Sequence, residues 1–305
     1  MDEQKKPKDI RRAIIEVIVF FDLFDFPMTA FEILKYLSVQ CNLSDVQAIL
    51  FDDELSSIVA EKNGFYFLVG RAEIVAIRMQ RYNYANAKMK KALGMARIYK
   101  FIPWIKMIAV VNVFGANNLK QESDIDLFII TPPNRIWLTR FFCAGFAATF
   151  RLRPTPGNQR DKICLSFFVS EEGMNLQNLL LADDIHFAYW LANFTPIYSV
   201  GQVYEDFVSA NSWLNQRLPN WQAAREQRQV VDNESIFYRD FVDVVLGKLE
   251  PVVKNWQLKR FPERIKEMMN KDTRVVVNDK VLKFHINDRR EEYNRVFNKK
   301  KTDLI

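Results

Sequence analysis

An α+β fold built around a mixed sheet is predicted from three observations. An apolar run rich in β-branched and aromatic residues, Met107 to Phe114, is followed by a glycine, a short polar loop and a second such run, Asp124 to Ile130. This is the pattern of strands buried on both faces of a core sheet. Before it, residues 1–71 carry helical apolar spacing and one hairpin signal. After it, residues 176–305 are rich in Trp and Phe within helical segments, so the expected C-terminal region is helical. At 305 residues the chain can hold two or three cores, and the expected division is 1–71, 72–175 and 176–305.

Residues 10 to 25 place Ile10, Ile14, Val17, Ile18 and Phe21 at helical spacing, and Pro27 ends that helix. Thr29 with Glu32 forms a capping box for a second helix. A third is expected from Ser44, with Val46, Ile49, Leu50, Leu55 and Ile58 as its apolar side. Asn63-Gly64 between two β-like runs is a hairpin signal. Three helices and a hairpin describe a winged helix. Sequence-specific DNA binding is nevertheless disfavoured, because the third helix carries Asp45, Asp52, Asp53 and Glu54 and no base.

Charge is distributed unevenly. Residues 71–106 hold nine Lys or Arg against one Glu, and residues 72–101 read as a long helix with Arg78, Arg81 and Lys88 outside. An anionic partner such as RNA is the expected reason for that bias. Past the two strand-like runs, Ile136 to Leu152 reads as a core helix and Lys162 to Val169 as another strand. Arg151, Arg153, Arg160 and Lys162 surround a Pro-Gly loop able to hold phosphate. In the last third, Asp183-Asp184 reads as a helix cap, Glu234 to Val245 as a helix, and VVVNDKVLKFH as a short hairpin.

The apolar stretches Ala13 to Phe21 and Phe141 to Phe150 are shorter than the roughly 18 residues a membrane span requires. The N-terminal segment lacks a secretory pattern, so a cytoplasmic, non-membrane protein is expected. Cys41, Cys143 and Cys164 are widely spaced in apolar surroundings and read as buried free thiols rather than a disulfide or metal cluster.

The chemistry is carried by Ser123-Asp124-Ile125-Asp126 at the start of the second strand. Residues two apart in a strand project from the same face, so Asp124 and Asp126 share one. Two carboxylates so placed repel each other unless a divalent cation neutralises both, and Mg²⁺ suits a pair of oxygen donors. Read without its context, the same motif is a cap, with Ser123 or Asp124 hydrogen-bonding backbone amides.

The apolar strand, Gly115, the polar loop and then S-D-I-D-L-F-I resemble the signature of nucleotidyltransferases of the DNA polymerase beta-like superfamily. FDLFDFPMTAFEI, GFYFLVGR and DKICLSFFVS are similar to segments of bacterial nucleotidyltransferase-domain proteins with an N-terminal winged helix. The resemblance implies a polymerase beta-like mixed sheet, and Mg²⁺ held by Asp124 and Asp126. It also implies transfer of a nucleoside monophosphate from an NTP, expected to be ATP, to a hydroxyl of an acceptor. Gly115, Ala116, Asn117, Ser123 and Lys162 become the nucleotide-binding candidates. Two positions depart from the family pattern: Ala116 stands where the family has Ser or Gly, and the strand from Lys162 carries no carboxylate. Asp161 at its edge is the candidate third catalytic carboxylate; the alternative is that it pairs with neighbouring bases. A non-catalytic regulator on a degenerate transferase fold is the second expectation.

Overall fold

The computed structural model describes residues 5–111, 117–155, 157–223 and 238–304. Six strands form one mixed sheet in the order β6-β3-β4-β5-β8-β7. These are β3 (Met107–Val110), β4 (Ile125–Thr131), β5 (Ile163–Ser170), β6 (Thr195–Ser199), β7 (Val275–Val277) and β8 (Val281–Phe284). β4 and β5 are parallel and the other neighbours antiparallel. The α+β class with a mixed sheet is therefore observed. The expected hairpin VVVNDKVLKFH forms as β7–β8 and joins this sheet, whereas β6 in the C-terminal third is an unexpected strand. TPIYS lacks alternation because all but its last residue are buried, which hides a strand of this kind from periodicity.

The N-terminal part contains α1 (Lys5–Asp22), α2 (Ala30–Tyr36), α3 (Leu43–Leu50) and the hairpin β1 (Val59–Lys62) and β2 (Phe65–Leu68). Thr29 and Glu32 cap α2 reciprocally as expected. Asn63 and Gly64 both have positive φ, 57° and 79°, the conformation that a two-residue hairpin turn requires. α3 is shorter than expected. It starts from an Asn42–Asp45 capping box, and beyond Leu50 the side chain of Asp52 accepts from the Glu54 amide, so local turns replace further helix.

α1 explains its own apolar run. From Ala13 to Phe21 every residue but Glu16 is buried, because the helix packs against α2 and α3 on one side and against α12 (Arg290–Leu304) on another. Its Phe20 and Phe21 join an aromatic cluster with Tyr36 and Tyr189. The same apolar core continues to one face of the sheet through Met107, Phe128, Ile130 and Phe167. The opposite sheet face, including Ile108, Ile125 and Ile129, packs under α4 (Ile74–Tyr99) and α5 (Ile136–Thr149). Between α5 and the last helices the chain forms α6 (Ile185–Ala192), α7 (Val203–Ala210), α8 (Leu214–Arg217) and α9 (Arg239–Leu246).

α4 departs from its expected orientation. Arg81 and Lys88 are buried, at 9% and 1% exposure, and not outside. Arg78 bonds Glu32 at 2.7 Å, Arg81 bonds Asp25 at 3.0 Å and Lys88 bonds Asp161 at 2.8 Å. With Arg71 on Asp22 and Lys91 on Asp161, five of the nine bases that biased this segment pair with acids of the chain, while Lys90 and Arg97 remain exposed.

The start of α5 has no side-chain cap of its own. The carboxylate of Glu250, at the start of α10 (Glu250–Arg260), accepts instead from the amides of Trp137 and Leu138, both at 2.9 Å. A carboxylate at a helix N-terminus satisfies orphan amides and complements the dipole. Glu250→Ala is expected to cost about 2 kcal/mol of stability in urea denaturation, since two buried donors lose their acceptor. A loss below about 0.5 kcal/mol would show that water replaces the carboxylate.

Candidate metal and nucleotide site

The site forms where β4 begins beside β5. Ile125 donates to Lys162 O at 2.7 Å, and Asp126 stands opposite Cys164 in the parallel ladder. Between the pairs Asp126–Cys164 and Phe128–Phe167, β5 contains one residue more than β4. This is a bulge, a device that re-aims side chains near a strand end. Asp124, Asp126, Cys164 and Ser166 consequently face one cavity of about 490 Å³.

One donor atom from each of Asp124, Asp126 and Cys164 lies within 4.8 Å of the others. The expected same-face placement of the two carboxylates is therefore present. The residue that meets them from β5 is Cys164 and not Asp161. The three cysteines are free thiols as expected, Cys143 buried and Cys41 and Cys164 partly so. Burial, and next the charge of Asp126, push the Asp124 carboxyl up to about 6. Burial and the two carboxylates raise the Cys164 thiol well above its ordinary value, so it stays protonated and serves as a hydrogen-bond donor to the acids.

Asp161 is placed elsewhere. It has φ 61°, its amide donates to Ser123 O at 3.1 Å, and its carboxylate receives Lys88 at 2.8 Å and Lys91 at 2.6 Å. Burial works against its charge, but these two lysines hold the carboxyl below its usual range. The pairing alternative is the one seen here, with Lys88 and Lys91 as the bases and its chain neighbour Arg160 at 3.8 Å. Lys162 also turns away, donating to Arg151 O at 2.7 Å, so its assignment to a nucleotide is not met in this arrangement. Ser123 uses its hydroxyl on Lys120 O at 2.9 Å and borders a neighbouring cavity. Asn117 has φ 53° and precedes Asn118, which bonds Phe24 O and Arg81. Gly115 and Ala116 lie outside the described residues.

The opposite wall of the acidic cavity went unseen in the sequence. It comprises His186 and Trp190 of α6, then Lys283, His285 and Arg290. Burial lowers both imidazoles, His186 to about 4 and His285 to about 3, so both are neutral at neutral pH. Burial and the charge of Arg290 lower Lys283 to about 8. Arg290 is fixed by Asp184 at 2.6 Å and Asp288 at 2.9 Å. Asp184 also caps α6 as expected, accepting from Phe187 N. No residue type or spacing announced this wall, because its members come from two segments far apart in the chain.

A second cavity of about 460 Å³ adjoins the first and shares His186, Trp190 and Asn287 with it. Phe20, Phe24 and Tyr293 line it, with Lys120 and Arg289 and the Arg81–Asp25 pair. No helix among the described residues is long and apolar enough to cross a membrane.

Fold and site together define an α+β protein with a mixed sheet and a two-lobed cleft, at whose base two carboxylates meet a thiol. Comparison with protein-family models, with curated proteins and with solved structures found no match.

Proposed function

We propose that the cleft binds a divalent cation with a nucleoside triphosphate and transfers the nucleoside monophosphate to a hydroxyl of an acceptor. The observation that carries this reading is the pairing of Asp124 and Asp126 within ligand distance of each other at the floor of an open cavity. Their oxygens fit Mg²⁺, which prefers carboxylate and phosphate donors and retains several waters; a thiol does not suit that ion. When bound, Mg²⁺ would supply charge neutralisation for the phosphates and the leaving group. Asp124 and Asp126 hold it, Lys120 and the Glu292-paired Arg289 offer positive charge to phosphate oxygens, and Phe24 and Tyr293 offer ring surface to a base. On this reading residues 1–71 form the winged-helix module, 72–175 the transferase core and 176–305 a covering region. Lys90 and Arg97 are what the basic helix leaves exposed for an anionic acceptor such as RNA.

The test is pyrophosphate release from each NTP with Mg²⁺, expected to be lost in Asp124→Ala. Release unchanged by that substitution would reject the assignment.

A second reading, a non-catalytic binder of nucleotide, is favoured by one observation: Cys164 occupies the position where a third carboxylate would act, and Asp161 is committed to two lysines. Cys164→Asp separates the two. It supplies a third oxygen donor and is expected to raise Mg²⁺ affinity about tenfold on either reading. It raises turnover only if transfer already occurs, whereas a binder gains affinity and releases no pyrophosphate.

A further inference from the structure

On the sheet face away from Asp124 and Asp126, α5 meets α10 and α11 (Glu263–Met268) around another concavity, of about 410 Å³. Ala144, Gly145 and Ala148 line its α5 side. A Cβ placed on Gly145 would meet nothing within 4 Å, so this side is open and flat. Phe141 and Trp256 meet edge to face along one border, with ring centroids 5.5 Å apart and planes 82° apart, and they are 37% and 44% exposed. These exposed rings supply a face on which a planar group can stack.

Three arginines line this concavity, Arg140, Arg153 and Arg260, and no carboxylate does. Among the described residues neither Arg153 nor Arg260 is in an ion pair. Arg260 lies over the Trp256 ring at 4.3 Å. Arg140 is held between Phe261 and Phe284, at 5.2 and 4.7 Å from their centroids, and donates to Gln257 Oε1. Gln257 is itself fixed by donating to Trp137 O at 2.8 Å. The Arg140 Nε–H is buried with no acceptor, and buried donors are ordinarily satisfied. Like charges collected without a counter-acid produce a positive field that draws an anion. Guanidinium groups match phosphate oxygens in particular.

We propose that this pocket binds a nucleoside monophosphate, with its base stacked on the exposed face of Phe141, the Trp256 ring bordering it, and its phosphate on Arg140, Arg153 and Arg260. Stacking on a ring face accepts any base, so purines and pyrimidines bind within a few-fold of one another. The inference is independent of the Asp124–Asp126 cleft, which lies across the sheet.

The test titrates the full chain with AMP, UMP, adenosine and inorganic phosphate in the presence of a chelator, so that no divalent cation is available. AMP is expected to bind at least tenfold more tightly than adenosine or phosphate alone. Gly145→Leu, which fills the flat side, and Arg260→Ala, which removes an exposed charge, are each expected to weaken AMP at least tenfold, with Asp124→Ala leaving it unchanged. Thermal melting of each variant confirms folding, and either variant suffices if the other unfolds. AMP bound no better than phosphate would overturn the proposal, as would AMP binding lost in Asp124→Ala and kept in Gly145→Leu and Arg260→Ala.

Discussion

Asp124→Asn is expected to stabilise the cation-free protein at pH 8, by on the order of 2 kcal/mol, and to abolish stabilisation by divalent cations. The Asp124 carboxyl is held at about 6 against an ordinary value of 3.8, because it is buried and sits beside Asp126. A raised carboxyl binds its proton more readily in the folded chain. Folding is therefore opposed above about pH 6, and the opposition fades as pH falls through 6 towards 4, where folded and unfolded chains are both protonated. A tenfold gain in proton affinity on folding corresponds to about 1.4 kcal/mol, and screening in an open cavity reduces the sum. The stability of the wild type without cation should thus rise between pH 7.5 and 5, while that of Asp124→Asn stays flatter through the same window. Binding of a cation opposes the same repulsion, so millimolar Mg²⁺ or Mn²⁺ should raise the melting temperature of the wild type by several degrees and leave the variant unmoved. Chemical denaturation across pH, with and without cation, measures both. An Asp124→Asn protein less stable than wild type at pH 8 would mean that the carboxylate is structural, held by amides and not waiting for a cation.

What the sequence disclosed followed from local rules. Thr29 with Glu32, and Asn63 with Gly64, announce their geometry because cap and turn each involve close neighbours in the chain. Asp124 and Asp126 share a face because a strand has a period of two. The third member of the cluster could not be read in this way. Cys164 faces the acids through the register of two parallel strands and a bulge between them, and nothing in a single sequence reports either. Asp161 misled for a related reason. Its position at the edge of β5 is as expected, but its side chain is claimed by Lys88 and Lys91, 73 and 70 positions earlier. The basic helix failed by the same route: the nine-to-one charge bias is real, yet Arg78, Arg81 and Lys88 answer acids elsewhere in the chain. Charge counting records how many bases a segment holds and is silent about which of them find an internal partner.

Lys88→Met should have the largest effect on stability, about 3 kcal/mol, and should loosen the loop that leads into Asp124. All three ammonium hydrogens are used, on Gln121 O at 3.0 Å, Ser123 O at 2.6 Å and Asp161 at 2.8 Å, and the residue is 1% exposed. Removing one partner of a buried pair costs far more than the pair contributes, because acceptors are left without donors in a poor solvent. Methionine keeps the length and apolar stem of lysine, so the loss reports on the charge and its hydrogen bonds and not on a cavity. Lys91 provides the comparison. It reaches the same carboxylate at 2.6 Å but is 52% exposed along its side chain, and Lys91→Met is expected to cost less than about 1 kcal/mol. Since Lys88 ties both Ser123 and Asp161 to α4, its loss should speed amide exchange at residues 121–126 and weaken cation binding at Asp124, although Lys88 touches no candidate ligand of the ion. Equal costs for the two lysine variants, or exchange unaltered across that loop, would show that water fills the vacated position and that Lys88 does not organise the site.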